Sequence, residues 1–180
     1  MPLDIIDKQG DQMLYEQTVP LFTKTLGNLI TILDKAATHA DTKKFDAGVL
    51  MTSRLAPDQF HLIKQIQIAC DTAKLCASRL SGKDAPAHED NEVTLSDAKK
   101  RIQDVMSYLK TFTAKDFAEG ANRKITQPRW ETKWMTGSDY VLHHAIPNFY
   151  FHVATAYAIL RHNGVEIGKK DYLGELPFQK

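Results

Sequence analysis

Cysteine is scarce in this chain, with two thiols in 180 residues. Cys70 and Cys76 lie six positions apart in a predicted helix, about 9 Å of rise and 240° of rotation, so they cannot easily pair. A disulfide framework is therefore not expected, and the thiols fit a reducing compartment, with cytoplasm as the expected location. A surplus of one charge is missing too. Lys plus Arg total 23, Asp plus Glu total 22, and the net charge is +1, with the basic residues scattered. Neither nucleic acid nor an anionic membrane surface is an expected partner. No apolar run approaches the roughly 20 residues that span a bilayer. The first stretch, MPLDIIDKQGDQML, carries an acid at position 4 and no apolar signal region, so no secretory leader is expected. Gly-rich phosphate loops, a nucleophile elbow, CxxC and HExxH are all absent, which leaves the best-marked chemistries unsupported. Internal repeats and low-complexity tracts are lacking as well.

What the sequence does have is helical periodicity. Its hydrophobic fraction of 43% and charged fraction of 25% suit an ordinary globular protein, and residues 1–180 are expected to form a single domain. The first helix is predicted from about Thr18, as N-cap, to Ala40, with Pro20 in its first turn. Phe22, Leu26, Leu29 and Leu33 give it one apolar stripe. A connector over 41–56 holds a short helical turn near Val49 to Arg54. The second helix is predicted from Pro57-Asp58 to Leu80, with an apolar arc through Ile63, Ile66, Cys70 and Ala77. On a 100° wheel Gln67 falls about 40° beyond Ile63, and Asp71 about 40° further on. Cys70 lies inside the arc, as a buried inert thiol would. A third helix opens at a capping box formed by Thr94 and Asp97 and runs to about Thr111. From Thr113 to Ser138 the pattern lapses, and Lys124–Thr126 and Trp130–Met135 are predicted as the strands of a small hairpin. Trp130 and Trp134 are expected to cover one end of the bundle.

The fourth helix, Ser138 to Asn163-Gly164, holds four of the seven histidines and Pro147. Leu142, Ile146, Phe149, Val153, Ala156 and Leu160 form its predicted core stripe, and Tyr172 and Leu173 of the tail are expected to pack back. His144, Asn148 and His152 recur at i, i+4 and i+8, each turned about 40° from the last, so they make a polar strip beside that stripe. One turn of separation lets two such side chains serve one ligand, and metal sites on helices use this spacing. His143 points away on a straight helix, and His162 suits the helix C-terminus. Pro147 removes the hydrogen bond to the His143 carbonyl and is expected to kink the helix. The fold is therefore expected to be an all-α four-helix bundle with a long irregular or hairpin-like connector between helices three and four.

The run PNFYFHVATAYAILRHNGV resembles the closing helix of the DinB-like (DinB/YfiT) four-helix bundles, and QIQIACD resembles the segment where that superfamily places its first histidine. APDQF, LHHAIPNFYFH and AYAILRHNGVEIGKKDYLG resemble, more specifically, an uncharacterised bacterial domain family within it. The resemblance implies a bundle of unusual helix order, a homodimer, and a site between helices two and four that often holds a divalent metal on three histidines. It also implies that some members are thiol transferases or thiol-dependent isomerases. By position those ligands fall on Gln67, Asn148 and His152, so only one of the three is an imidazole. Amide oxygens are weak donors to Zn²⁺ or Ni²⁺. The expectation is a small-molecule pocket lined by Gln67, Asn148 and His152, with Asp71 and His144 nearby and the metal site degenerate. The alternatives are a divalent-metal-dependent transferase, with His152 as ligand and His144 or Asn148 assisting, and a non-catalytic dimeric interaction protein.

Overall fold

The computed structural model describes residues 3–179, with side chains from Gln12 onward. Four long helices form the bundle: α1 (Leu3–Lys43), α3 (Leu62–Ser81), α4 (Leu95–Leu109) and α6 (Ile146–His162), with the short α2 (Gly48–Thr52) between the first two. Helix α3 packs between α4 and α6, and α1 closes the far side against the same two helices. The core between them includes Leu26, Leu29 and Leu33 of α1, Ile66 and Cys70 of α3, Ile102 and Val105 of α4, and Phe149 of α6, all fully buried. The rings of Phe22 and Phe149 meet at 4.3 Å across the α1–α6 seam. Both thiols are free and buried, and burial pushes each up to about 12. Among the described residues no helix is long and apolar enough to cross a membrane.

Several element ends differ from the sequence expectation, each for a local reason. Helix α1 begins well before Thr18. Leu14 already belongs to its buried face, and the Thr18 hydroxyl donates to the Leu14 carbonyl at 2.6 Å, as an interior helical threonine does. Helix α3 starts at Leu62, behind an extended His61, because residues 53–61 turn back and the Leu62 N–H donates to the Ser53 carbonyl at 3.0 Å. It stops at Gly82, whose φ of 76° only glycine adopts freely. The Thr94–Asp97 capping box is present, with Thr94 Oγ1 accepting from Asp97 N at 3.1 Å and Asp97 Oδ2 accepting from Thr94 N at 2.9 Å.

Between α4 and the last long helix the chain makes a 3-10 turn at Ala114–Phe117 and a minimal antiparallel hairpin, β1 (Lys124–Ile125) with β2 (Met135–Thr136). Residues Pro128–Trp130 form a second 3-10 turn, and the second strand is only Met135–Thr136 where Trp130–Met135 was expected. Trp130 packs edge-on against Tyr140 at 6.2 Å, whereas Trp134 is about half exposed and does not cover the bundle. This connector is pressed against the next helix. A Cβ on Gly137 would stand 1.8 Å from the Gly120 carbonyl oxygen, so no larger residue fits there without moving the backbone.

That next helix is a continuous rod made of α5 (Gly137–Tyr140), a π turn (Val141–Ala145) and α6. Its N-cap is Thr136, whose hydroxyl accepts from Asp139 N, in place of the expected Ser138. The π turn sits just ahead of Pro147. The widened register puts the proline, which has no N–H, where the α ladder is already interrupted. It also changes which residues are buried. Val141 and Ala145 are inside, while Leu142, expected in the core stripe, is 57% exposed. The rod ends at Asn163 and Gly164, the latter at φ 88°. The tail folds back through α7 (Lys169–Leu173), where the Tyr172 carbonyl accepts from Asn28 Nδ2 at 3.0 Å and its ring meets Tyr157. Leu173 stays largely at the surface.

Candidate functional site

Helix α3 has an apolar face centred on Ile66 and two polar edges, about 100° to either side of it on a helical wheel. One edge carries Gln67, Lys74 and Asp71; the other carries Gln65, Thr72 and Arg79. The bundle turns the first toward α4 and the second toward α6.

The α6 edge forms three antiparallel rungs. His152 Nδ1 lies 2.7 Å from Gln65 Oε1, Asn148 Nδ2 donates to Thr72 Oγ1 at 2.7 Å, and Arg79 Nη1 donates to the Tyr140 hydroxyl at 2.9 Å. Gln65 and His152 are both buried. An amide oxygen can only accept, so the proton of His152 resides on Nδ1 and its Nε2 keeps the lone pair. Burial first, and then the charge of Arg129, lower the His152 pKa to about 4, so the ring is neutral at pH 7. Beyond this ladder lies a cavity of about 520 Å³, walled by α3, the π turn and α6, and the 127–129 segment of the connector. His144, Asn148, His152 and Asp71 all line it.

His144 is held between aromatic rings, stacked on Tyr140 at 5.4 Å and edge-on to Trp130 at 5.3 Å. Arg129 Nη2 approaches its Nε2 at 2.8 Å. A guanidinium cannot accept a hydrogen bond, so Nε2 accepts and the proton sits on Nδ1, which is buried without a partner among the described residues. Burial, then Arg129, then Arg79, hold the His144 pKa below its ordinary value.

The α4 edge is an ion cluster. Gln67 Nε2 donates to Glu92 Oε2 at 2.7 Å, and Arg101 binds Asp71, Asp90 and Glu92 at 2.9, 3.0 and 2.9 Å. Lys74 meets Asp71 at 3.0 Å and His88 Nδ1 at 2.9 Å, and Lys64 meets Asp90 at 2.6 Å. Burial works against ionising Glu92, but hydrogen bonds from Arg101 and Gln67 outweigh it and hold its pKa below the usual range. Gln67 therefore does not join Asn148 and His152. The expectation chose the wrong polar edge of α3, and Gln65 stands where Gln67 was expected. Asp71 reaches the cavity wall from the cluster, its charge already matched. His143 and His162 are exposed, in keeping with their places on the wheel.

Six polar residues at the site were not anticipated: Gln65, Thr72, Arg79, Gln127, Arg129 and Tyr140. The spacing of Gln65, Thr72 and Arg79 at i, i+7 and i+14 is a readable polar stripe. Nothing in the irregular connector marks Gln127 or Arg129.

A transition metal does not suit this donor set. The Nε2 of His144 is occupied by a cationic guanidinium, the Asn148 amide nitrogen donates to Thr72, and Gln67 faces elsewhere. That leaves one imidazole nitrogen, His152 Nε2, and the weakly donating amide oxygen of Asn148, where a stable site needs three or four donors. Among the described residues no three His, Cys, Asp or Glu side chains gather as a metal would require.

Residues 14–173 match the family model of DUF1993, a domain of unknown function. The fold is similar to the crystal structure of a DinB family member protein from Shewanella denitrificans, with 53% sequence identity and a TM-score of 0.93, over 96% of this chain and 98% of that one. No curated protein matches.

Proposed function

This chain belongs to the DUF1993 family and is DinB-like, and from that premise we propose that it binds a small organic molecule between α3 and α6 without a tightly held transition metal. The observation that carries this reading is the contact between Arg129 and His144 at 2.8 Å beside the cavity. It sets a positive charge against the His144 imidazole that the metal-dependent alternative would need free to assist His152. A cavity of about 520 Å³ lies within the range of small-molecule sites, which mix apolar walls with a few placed polar groups. The rungs Gln65–His152 and Thr72–Asn148 fix the tautomer and orientation of the groups that would meet the ligand.

Elemental analysis of untagged protein tests the proposal. Zinc and nickel well below one equivalent are expected, both as purified and after incubation with either metal and desalting. Mass spectrometry of the denatured supernatant should find a co-purifying organic molecule in its place. One equivalent of metal, lost in His152→Ala, overturns the reading in favour of a metal-dependent transferase.

A further inference from the structure

The arginines of this protein meet two different fates. Arg101 is enclosed by three carboxylates, and Arg54, Arg123 and Arg161 donate to the backbone carbonyls of Pro57, Leu80 and Val165. Arg79 and Arg129 instead touch a phenol and an imidazole, both neutral, and both line the α3–α6 cavity. Among the described residues neither has a carboxylate partner. They sit at the polar edges of one stacked pair, Tyr140 and His144, so the two guanidinium groups flank the same stretch of wall. The other charged groups lining the cavity are already neutralised, Lys64 by Asp90 and Asp71 by Arg101 and Lys74. The cavity thus carries net positive charge at one end. Along α3, Ile68 and Leu75 supply an apolar wall, and Phe60, 55% exposed, adds an uncovered ring.

We infer that the cavity binds an organic carboxylate, its head held between Arg79 and Arg129 and its apolar body laid along Phe60, Ile68 and Leu75. This rests on the pocket reading above and adds the chemical class of the ligand. The planar fork of a guanidinium matches the two oxygens of a carboxylate, and each charge-assisted hydrogen bond outweighs a neutral one. An anion there also relieves the repulsion between two like charges on one wall. A cation is disfavoured for the same reason, and a neutral ligand leaves both guanidinium groups without an ionic partner. Asn148 and the Nε2 of His152 lie further along the wall, where they are placed to read a second polar group on the ligand.

Calorimetric titration of the full chain separates these claims, using phenylacetate with its neutral counterpart phenylacetamide, and octanoate with octanamide. Each anion should bind roughly ten-fold or more tightly than its amide, the difference expected for one charge-assisted contact. Arg129→Gln and Arg79→Gln should each remove most of that preference, weakening anion binding several-fold more than amide binding. Thermal melts confirm that both variants are folded. The His144 and His152 ring protons, followed by NMR, locate the ligand. Equal binding of anion and amide overturns the carboxylate assignment and leaves the pocket intact, as does phenyl phosphate binding in preference to phenylacetate. If neither member of either pair moves the histidine resonances, the pocket reading falls with it.

Discussion

The two polar edges of α3 answer the same problem in opposite ways. Toward α4, Arg101 is almost completely buried and held by Asp71, Asp90 and Glu92, with Lys64 and Lys74 closing the cluster. Toward α6, Arg79 is half-buried and Arg129 exposed, and among the described residues their side-chain partners are neutral. The desolvation of Arg101 is tolerable only because its partners come with it. Arg79 and Arg129 keep contact with water, so the fold can leave them without counter-ions at small cost. The first edge fastens the 82–94 connector to the bundle. The second leaves charge available for something outside the chain.

Removing one side of each arrangement should therefore have unequal effects. Arg101→Ala leaves Glu92 without a cation among the described residues, while Asp71 and Asp90 each keep one lysine, and it should lower the unfolding free energy by about 3 kcal/mol, read from urea denaturation at pH 7. A loss near zero would mean that the cluster is no more than a solvated surface network.

The next effect is set by pH. The folded pKa of His152, about 4, lies below the ordinary 6.5, so the unfolded chain takes up a proton first on acidification. Its contribution is complete above pH 6.5 and declines as pH falls toward 4. Between neutrality and about pH 4.5 the loss should be roughly 2 kcal/mol. Asp90 and Glu92 titrate below the usual carboxylate range and Asp116 at about 2, so their stabilisation is lost only at lower pH. His61, His88 and His144 are also held below their ordinary values and add to the same slope. The share of His152 is the difference between wild type and His152→Gln, and identical slopes would remove this claim.

The smallest change is expected at the open edge. Arg129→Gln should alter stability by no more than about 0.5 kcal/mol, since an exposed side chain without an ionic partner is lost. It should also raise the NMR titration midpoint of His152, because the Arg129 charge is one of the two causes that depress it. An unmoved midpoint would show that burial alone sets the value.

Much of this architecture was legible in the residues. The four amphipathic stretches, the Thr94–Asp97 box and the Gly164 stop are local signals, and local physics decides them. The strip of His144, Asn148 and His152 was equally readable, being a matter of spacing within one helix. The choice between Gln65 and Gln67 was not. Both stand about 100° from Ile66, on opposite sides, and a single helix carries no record of which neighbour lies to its left or right. That information resides in the order of helices around the bundle. Arg129 was hidden for another reason. It belongs to a connector without periodicity, and only the close approach of Gly137 to Gly120 and the packing of Trp130 on Tyr140 bring that connector to the cavity.

The π turn at Val141–Ala145 has a consequence for descent as well as for packing. Such a turn amounts to one extra residue in a rod that otherwise advances 3.6 residues per turn. Deleting a residue there would restore an unbroken α-helix and leave the residues on either side in nearly the same orientation, because the wide turn absorbs the extra residue. Tyr140, and the connector that carries Arg129, would keep their place beside the cavity. A relative one residue shorter at this point would therefore align with a single gap and keep the same pocket, whereas keeping the residue and closing the turn to α would rotate everything before it by about 100°.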